Sequence, residues 1–412
     1  MPAISGRRRR AIEAFRRLGS APLDHAAATT SALPERLLLG SGPSPVPPRV
    51  LEALSRPTVG HLDPVFVEVM DETCALLRET FLTRNRATFP LSATGGSGMD
   101  ALVNNFVAPG DRVVLAVCGL FGERLSDALA RAGADVVRVE AEWGRAVPVE
   151  ALIEATSAGT RALIVVHGET STGVCQPLDG LADAARERDA LLLADCVTSL
   201  SGQPLELDAA GIDAAFSGTQ KCLNCPPGLA PFTAGERALA RLEARTEVPR
   251  SWYFDLSLLL GFWMPEDKRA YHHTVPINMI YALREALALV AEEGLETRWE
   301  RHRRAHEALR SALAVFGLER LAANGEQLNP LLAVRVPEGV DEAALRGRLL
   351  NEHGIEIAGG LGPLAGDVWR IGVMGVGAAF EPQARLVEAL AAVLGRDPAD
   401  ALAALEADWG AA

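Results

Sequence analysis

The sequence has no apolar run of the roughly 20 residues that a helix needs to span a bilayer. It also lacks an excess of positive charge, because 40 Lys and Arg residues stand against 53 Asp and Glu residues and the formal net charge is −13. A nucleic-acid-binding surface is basic, although a local site on an acidic protein can still bind an anion. We therefore expect neither a membrane nor a nucleic acid as a partner.

Cysteine is scarce, with six residues in the chain, and they are scattered among apolar or small neighbours. No secretory apolar segment precedes them, so we expect reduced thiols and a cytoplasmic location. Cys222 and Cys225 form one CxxC pair, which can be a redox pair or half of a zinc site. Since there is no second CxxC and no nearby histidine pair, we expect a structural role for both cysteines and no metal site.

The composition of the chain and the order of its predicted strands and helices indicate an N-terminal extension and two domains. Residues 7–10 are four consecutive arginines in an Arg- and Ala-rich lead-in, which favours a solvated basic helix over a transit peptide and makes residues 1–35 an N-terminal extension. Residues 36–276 form a large domain, because short apolar strands alternate with helices and so predict a mostly parallel sheet covered on both faces. Residues 277–412 read as a smaller α+β domain.

A glycine-rich segment, Thr94-Gly95-Gly96-Ser97-Gly98-Met99, is predicted to be a loop between a strand and a helix. Backbone N–H groups at such a helix end suit a phosphate, and a structural turn without a ligand is the alternative. Part of the segment also fits the dinucleotide fingerprint G-x-G-x-x-A. That fingerprint requires an acidic residue at the end of the next strand. The next predicted strand, residues 113–117, is followed by Cys118-Gly119, so we favour a phosphate over a dinucleotide.

Three charged residues are candidates for chemistry. Asp195 ends an apolar strand, where it could cap the next helix or pair with a protonated pyridine nitrogen. Lys221 lies in a Gly- and Pro-rich loop, where it could be solvated or, beside other cations, lose its proton and form a Schiff base. Arg370 could grip a carboxylate or lie on the surface of an edge strand. A phosphate loop, a carboxylate and a lysine in this order are the parts that a pyridoxal phosphate (PLP) site requires.

These residues and their neighbours resemble the class V (fold type I) aminotransferases, most closely the alanine–glyoxylate / serine–pyruvate group. The similarity runs in unbroken order from about residue 35 to 395. The matching stretches are Leu37-Leu38-Leu39-Gly40-Ser41-Gly42-Pro43-Ser44, Gly96-Ser97-Gly98, His167-Gly168-Glu169-Thr170-Ser171-Thr172-Gly173, Asp195-Cys196-Val197, Gly218-Thr219-Gln220-Lys221, Tyr271-His272-His273-Thr274, Gly359-Gly360-Leu361-Gly362-Pro363 and Trp369-Arg370-Ile371-Gly372.

The resemblance implies a fold type I architecture, with a mostly parallel seven-stranded sheet between helices and a smaller C-terminal domain. It implies that Lys221 carries PLP as a Schiff base and moves the substrate proton, while Asp195 keeps the pyridine nitrogen protonated. Val197 and Phe121 would pack on the two ring faces, although the family often has Trp where Phe121 stands. The other residues that the resemblance assigns to the cofactor are Ser97, Gly98, Met99, Thr170 and Gln220.

The resemblance also assigns residues to the substrate and to a second subunit. Arg370 would bind the substrate α-carboxylate, and the arm at Ser41 and Gly42 would border the substrate side chain. His61, in a segment that looks like that of bacterial members, could line the substrate pocket. Tyr271 and Thr274 would reach the cofactor phosphate of a neighbouring subunit, which makes the protein a homodimer with its active site at the interface.

The expected activity is ping-pong transamination between a small L-amino acid, alanine or serine, and glyoxylate or pyruvate. Ureidoglycine or another donor is the alternative within the family. A cysteine desulfurase would need a cysteine on a mobile C-terminal loop, and none follows Cys225. The remaining alternatives are a catalytically silent protein on the same fold and, from the glycine-rich segment alone, a nicotinamide dehydrogenase.

Overall fold

The computed structural model describes residues 33–265 and 267–410 of the chain. The strands are β1 (Leu37–Leu38), β2 (Ala87–Leu91), β3 (Arg112–Val117), β4 (Asp135–Glu140), β5 (Thr160–Val166), β6 (Gly168–Glu169), β7 (Val174–Cys175), β8 (Leu191–Asp195), β9 (Ala214–Phe216), β10 (Ala230–Ala234), β11 (Leu331–Arg335), β12 (Ile355–Glu356), β13 (Ala358–Gly359) and β14 (Val368–Gly372). The helices are α1 (Pro48–Leu54), α2 (Pro64–Phe81), α3 (Gly95–Phe106), α4 (Leu120–Ala132), α5 (Val149–Ala155), α6 (Leu181–Glu187), α7 (Glu236–Glu243), α8 (Leu256–Trp263), α9 (Ile277–Glu293), α10 (Leu295–Val315), α11 (Glu342–His353), α12 (Phe380–Leu394) and α13 (Ala399–Gly410).

Seven strands form the central sheet in the order β2-β10-β9-β8-β5-β3-β4. All neighbouring pairs are parallel except those of β10, which runs antiparallel to both β2 and β9. Strands β3, β5 and β8 are almost continuously apolar and buried, because helices cover both faces of the sheet. The predicted α/β architecture with a mostly parallel seven-stranded sheet is confirmed.

Helices α1, α2 and α9 pack together beside the sheet and share its hydrophobic core. Helix α2 begins sharply because the Asp63 carboxylate accepts a hydrogen bond from the Val65 N–H and Pro64 occupies the first helical position. No helix within the described ranges is both long and apolar enough to cross a membrane. The arginines at residues 7–10 lie outside the described residues.

A second, three-stranded antiparallel sheet has the order β11-β14-β13 and a hydrophobic cluster of its own, formed with α10, α12 and α13. Strand β14 is therefore the middle strand, and Arg370 does not lie at a sheet edge. The domain boundary expected between residues 276 and 277 stays a prediction.

The glycine-rich segment differs from its predicted form, because residues 95–99 are the first turns of α3 rather than a loop. The cause is close packing: a Cβ at Gly98 would lie 2.6 Å from Cδ2 of Phe216 in β9, so only glycine lets the helix start against the sheet. Strand β10 was not predicted. Its Pro231 argues against a central strand, but the residue is paired with Pro90 of the edge strand β2, so two residues without a donor share one register position.

Candidate functional site

Lys221 lies in the loop after β9, at the carboxyl edge of the central sheet. It is one of two lysines in the sequence, and the other, Lys268, is exposed. Only 8% of Lys221 is exposed, and its Nζ donates a hydrogen bond to the carbonyl of Ser41. A Cβ at Gly42, whose φ is +98°, would lie 2.7 Å from the lysine Nζ. The arm before α1 therefore encloses the amine, and glycine is needed there for both space and conformation.

The main chain of the Lys221 loop is tied to the same arm. The Ser44 N–H donates to the Gln220 carbonyl at 2.9 Å, and Ser44 Oγ donates to the Lys221 carbonyl at 2.6 Å. Asn224 donates from Nδ2 to Ser44 Oγ and to the Pro45 carbonyl, both at 2.9 Å. Its φ is +53°, a left-handed conformation that asparagine tolerates better than most residues. This network fixes the loop relative to the arm.

Asp195 ends β8 and is almost completely buried. Its Oδ1 accepts a hydrogen bond from the Val197 N–H at 2.9 Å. Burial raises the pKa of Asp195 to about 7, and Glu169 adds to the rise, whereas the Val197 N–H and Lys221 oppose it. A cation beside this carboxylate would restore its charge, so the site suits a protonated ring nitrogen.

The opposite shift occurs at the lysine. Burial lowers the pKa of Lys221 from the ordinary value of 10.5 to about 8, and the positive charges of Arg370 and Arg124 lower it further, with Cys222 and Asp195 opposing. The neutral amine, which is the nucleophile and the base, is therefore accessible close to neutral pH.

The start of α3 offers donors for an anion. The backbone N–H groups of Gly95 and Gly96 have no acceptor within the described part of the chain. They lie at the positive end of a 12-residue helix, and a Cβ at Gly95 would come within 3.4 Å of Gly218 Cα. The Ser97 hydroxyl bonds to the Thr94 carbonyl, and Gln220 has a buried Oε1 without a partner among the described residues. The backbone N–H groups at this helix end fit the phosphate of PLP, and of the Gln220 amide only Nε2 could donate to it.

Arg370 is a buried cation in the middle strand of the second sheet. Its Nε donates to the Gly359 carbonyl at 2.8 Å, and Nη1 approaches the Thr170 carbonyl at 3.5 Å. Among the residues that the structure describes, no carboxylate forms an ion pair with it. Burial lowers the pKa of Arg370 to about 10, with Glu169 opposing and Arg346 adding to the decrease. A buried guanidinium with free N–H groups suits a substrate carboxylate.

The residues predicted around the cofactor ring lie on three neighbouring segments. Thr170 shares a 2.5 Å hydrogen bond with Thr198, one residue after Val197. The Val197 side chain packs against the first turn of α3, since a Cβ at Gly95 would lie 3.5 Å from its Cγ2. Phe121 is half-buried at the start of α4, and the guanidinium of Arg124 lies 4.8 Å from its ring centroid.

Met99 faces a groove of about 680 Å³ between α3 and α4, which Arg124 also lines. Three other predicted site residues lie on the surface. Tyr271, 63% exposed, shares a 3.3 Å hydrogen bond with Thr274, and the His61 ring centroid lies 5.4 Å from that of Tyr271. These three residues form a surface group, hereafter the 61/271/274 surface group.

Sequence reasoning missed three residues that organise the site. Ser44 and Glu169 lie inside matched motifs but received no role, and Asn224 received none either. All three are buried polar side chains beside predicted site residues, and burial is a property that the motifs alone do not reveal. In the described part of the chain, the six cysteines are free thiols and no group of three or more His, Cys, Asp or Glu side chains could hold a metal ion.

The lowered pKa of Lys221 predicts how it reacts with a small acylating reagent in protein without added cofactor. Because only the neutral amine reacts, labelling of Lys221 should be half-maximal near pH 8 rather than near 10.5. Peptide mass spectrometry across a pH series measures this midpoint, which does not depend on reagent access. The exposed Lys268 provides the reference curve, and coincident curves for the two lysines would contradict the prediction.

Comparison with known proteins identifies the family of this chain. Residues 36–364 match the family described as Aminotransferase class-V. The chain is 40% identical over 380 residues to the (S)-ureidoglycine–glyoxylate transaminase of Bacillus subtilis, covering 88% of this chain and 91% of that protein. It is 37% identical over 400 residues to the alanine–glyoxylate aminotransferase of Rattus norvegicus, covering 95% and 97%.

Solved structures give the same result. The alanine–glyoxylate aminotransferase of Nostoc sp. superimposes with a TM-score of 0.86 at 47% identity, covering 88% of this chain and 96% of that one. The pyridoxamine–pyruvate aminotransferase of Mesorhizobium loti has a TM-score of 0.87 at 25% identity, covering 92% and 98%. The fold type I architecture is thereby confirmed. The chain belongs to the class V aminotransferases, PLP-dependent transferases that act on amino acids and oxoacids.

Proposed function

We propose that this enzyme transfers the amino group of a small L-amino acid, alanine or serine, to glyoxylate or pyruvate by a ping-pong mechanism. Relatives named for alanine and for ureidoglycine as donors share glyoxylate in their names, which supports glyoxylate as the acceptor. The same similarity supports two kinds of amino donor, a small amino acid such as alanine and ureidoglycine.

The observation that carries the proposal is the enclosed amine of Lys221. It is buried against Ser41 and Gly42, it has a lowered pKa, and it belongs to the same buried group as Asp195 and Arg370. When bound, PLP supplies an electron sink that makes the substrate Cα–H bond breakable. In this proposal Lys221 Nζ would accept the proton from the substrate Cα and deliver it to the C4′ carbon of the cofactor, and the reverse transfer would complete the second half of the reaction.

The remaining residues bind and orient. The N–H end of α3, with Ser97, Gly98 and Gln220, would hold the phosphate, beside Met99. Phe121 and Val197 would stack on the ring. The resemblance to the family supports a place for Thr170 at the ring hydroxyl. Asp195 would pair with the ring nitrogen, whose positive charge would keep this carboxylate ionised.

Substrate size is limited by the arm. Arg370 would grip the α-carboxylate through two parallel hydrogen bonds. The backbone of Ser41 and Gly42 lies directly against Lys221, which leaves little room for a long substrate side chain. This supports a small donor. Ureidoglycine is the second candidate, because a ureidoglycine transaminase is among the most similar relatives.

The 61/271/274 surface group supports a homodimer with its active site at the subunit interface. Tyr271 and Thr274 would reach the phosphate in the partner's site, and His61 would border the partner's substrate. The ring of Trp252, which stacks on that of His272 beside Tyr271, is 61% exposed, and a second copy would cover it. Free, mostly buried thiols support a cytoplasmic location.

A half-reaction tests the proposed function. The PLP-loaded protein is mixed separately with L-alanine, L-serine and (S)-ureidoglycine, and the cofactor absorbance band is followed before and after glyoxylate is added. We expect one of the small donors to bleach the band and glyoxylate to restore it. Lys221→Ala should lower the rate about 10²-fold or more, and Lys268→Ala should leave it unchanged. A band that no donor bleaches would refute the substrate class.

Mixing two inactive variants tests the shared site. Lys221→Ala subunits retain the 61/271/274 surface group, and subunits with Tyr271→Phe and Thr274→Ala retain the lysine. Each mixed dimer then contains one fully native site, so activity should rise well above that of either parent after the subunits are exchanged. Native mass spectrometry verifies that mixed dimers form. If they form without any gain in activity, each site is complete within its own subunit.

A further inference from the structure

Glu169 is a fully buried carboxylate that received no role from the sequence. Its Oε2 accepts hydrogen bonds from the Phe121 N–H at 3.0 Å and the Gly122 N–H at 3.2 Å. Its Oε1 accepts from the N–H of Ser171 at 3.0 Å and from Ser171 Oγ at 2.5 Å. Within the ranges that the structure describes, no arginine or lysine forms an ion pair with it.

The four donors compensate the buried charge. Phe121 and Gly122 are the second and third residues of α4, so their N–H groups belong to the positive end of a 13-residue helix. Burial raises the pKa of Glu169, and the bonds from Ser171, Gly122 and Phe121 oppose that rise. Because all four lone-pair positions are occupied by donors, a proton on the carboxylate would displace one of them, so the geometry is that of the ionised form.

Helix α4 has no capping side chain of its own. The residue before it is Gly119, and a Cβ at that position would collide with the side chains of Glu169 and Ser171. The glycine thus leaves space for a carboxylate from the β6–β7 hairpin to cap the helix from outside. Ser171 Oγ also accepts a hydrogen bond from the Leu120 N–H at 2.9 Å, which strengthens the same junction.

The capped residue and its neighbours are site residues. Phe121, whose N–H is held by Glu169, is proposed to stack on the cofactor ring. Thr170 follows Glu169 directly, bonds to Thr198, and presents its carbonyl to Arg370. One buried carboxylate therefore fixes the main chain at two points of the proposed site.

We propose that Glu169 is a positioning residue of this aminotransferase, which locks the N-terminus of α4 so that Phe121 and Thr170 keep their places against the cofactor ring. The inference rests on the proposed roles of Phe121 and Thr170. The negative charge of Glu169 also adds to the rise in the pKa of Asp195 and opposes the decrease in the pKa of Arg370, so the loss of this charge changes the electrostatics of both residues.

The test is Glu169→Gln, which keeps the shape but presents N–H groups to N–H donors. We expect amide hydrogen exchange in peptides covering residues 118–124 to accelerate about tenfold or more in protein without cofactor. The charge that stabilises the helix end is lost, and the single amide oxygen of glutamine cannot accept from both the helix N–H groups and Ser171. We also expect the visible circular dichroism of bound PLP to weaken and its dissociation constant to rise about tenfold. Mass spectrometry and titration measure these effects.

Asp213→Asn is the matched control, because Asp213 is also a buried carboxylate that accepts a backbone N–H, that of Leu192 at 2.8 Å, and it pairs with Arg237 away from the site. It should lower stability without changing the exchange of residues 118–124 or the cofactor signal. If Glu169→Gln matches this control in all three measurements, the proposal is wrong.

Ser171→Ala provides a second variant if Glu169→Gln does not fold. It removes one donor to Glu169 and the acceptor of the Leu120 N–H, so the same changes should appear with smaller size. Unchanged exchange at residues 118–124 in Ser171→Ala would overturn the proposal. The exchange experiment uses neither cofactor nor substrate. If exchange becomes faster but the cofactor signal does not change, then Glu169 does cap the helix, but the proposed role of Phe121 at the cofactor ring is wrong.

Discussion

The enclosure of the Lys221 amine by the backbone of Ser41 and Gly42 is the constraint on which the site depends. A solvated lysine keeps its proton up to about pH 10, whereas this one is shielded from water and lies near two arginines. The enclosure needs an arm that passes over the carboxyl edge of the sheet. Ser44 and Asn224 provide that by bonding the arm to the lysine loop.

The buried charges around Lys221 are incomplete without a ligand. Among the described residues, Arg370 has no carboxylate partner, Asp195 has no cation bonded to it, and the first N–H groups of α3 have no acceptor. A ligand that brings a phosphate, a protonated ring nitrogen and a carboxylate would complete all three. Glu169 differs, because its charge is already satisfied by the end of α4. This contrast separates residues that would bind the ligand from one that would hold the scaffold.

The central sheet could be predicted, together with the positions of Asp195 and the Lys221 loop at its edge, because their signals are local. Continuous apolar strands such as β5 and β8 indicate a sheet buried on both faces, and parallel strands bring their carboxyl ends, with Asp195 and the lysine loop, to one edge. What could not be predicted depends on contacts distant in sequence. Residues 95–99 are helical because Gly98 fits against Phe216, and β10 tolerates Pro231 because Pro90 lies opposite.

The buried polar residues Glu169, Ser44 and Asn224 could not be predicted either, because their partners are distant in sequence. Glu169 lies in a matched motif, but its capping of α4 joins segments 47 and 48 residues apart. Asn224 and Ser44 are 180 residues apart. Periodicity and motif spacing do not reveal which distant residues are in contact. The resemblance to a family indicates such contacts only for residues to which the family gives a role.

The central claim is that the cofactor is held on Lys221, and the chain has only one other lysine. The most direct measurement is to treat the PLP-loaded protein with borohydride, which makes the link between lysine and cofactor permanent, and to map the labelled peptide by mass spectrometry. We expect the added mass on the peptide that contains Lys221 and none on Lys268. Label on Lys268 alone, or on neither residue in a protein that shows the cofactor band, would contradict the account.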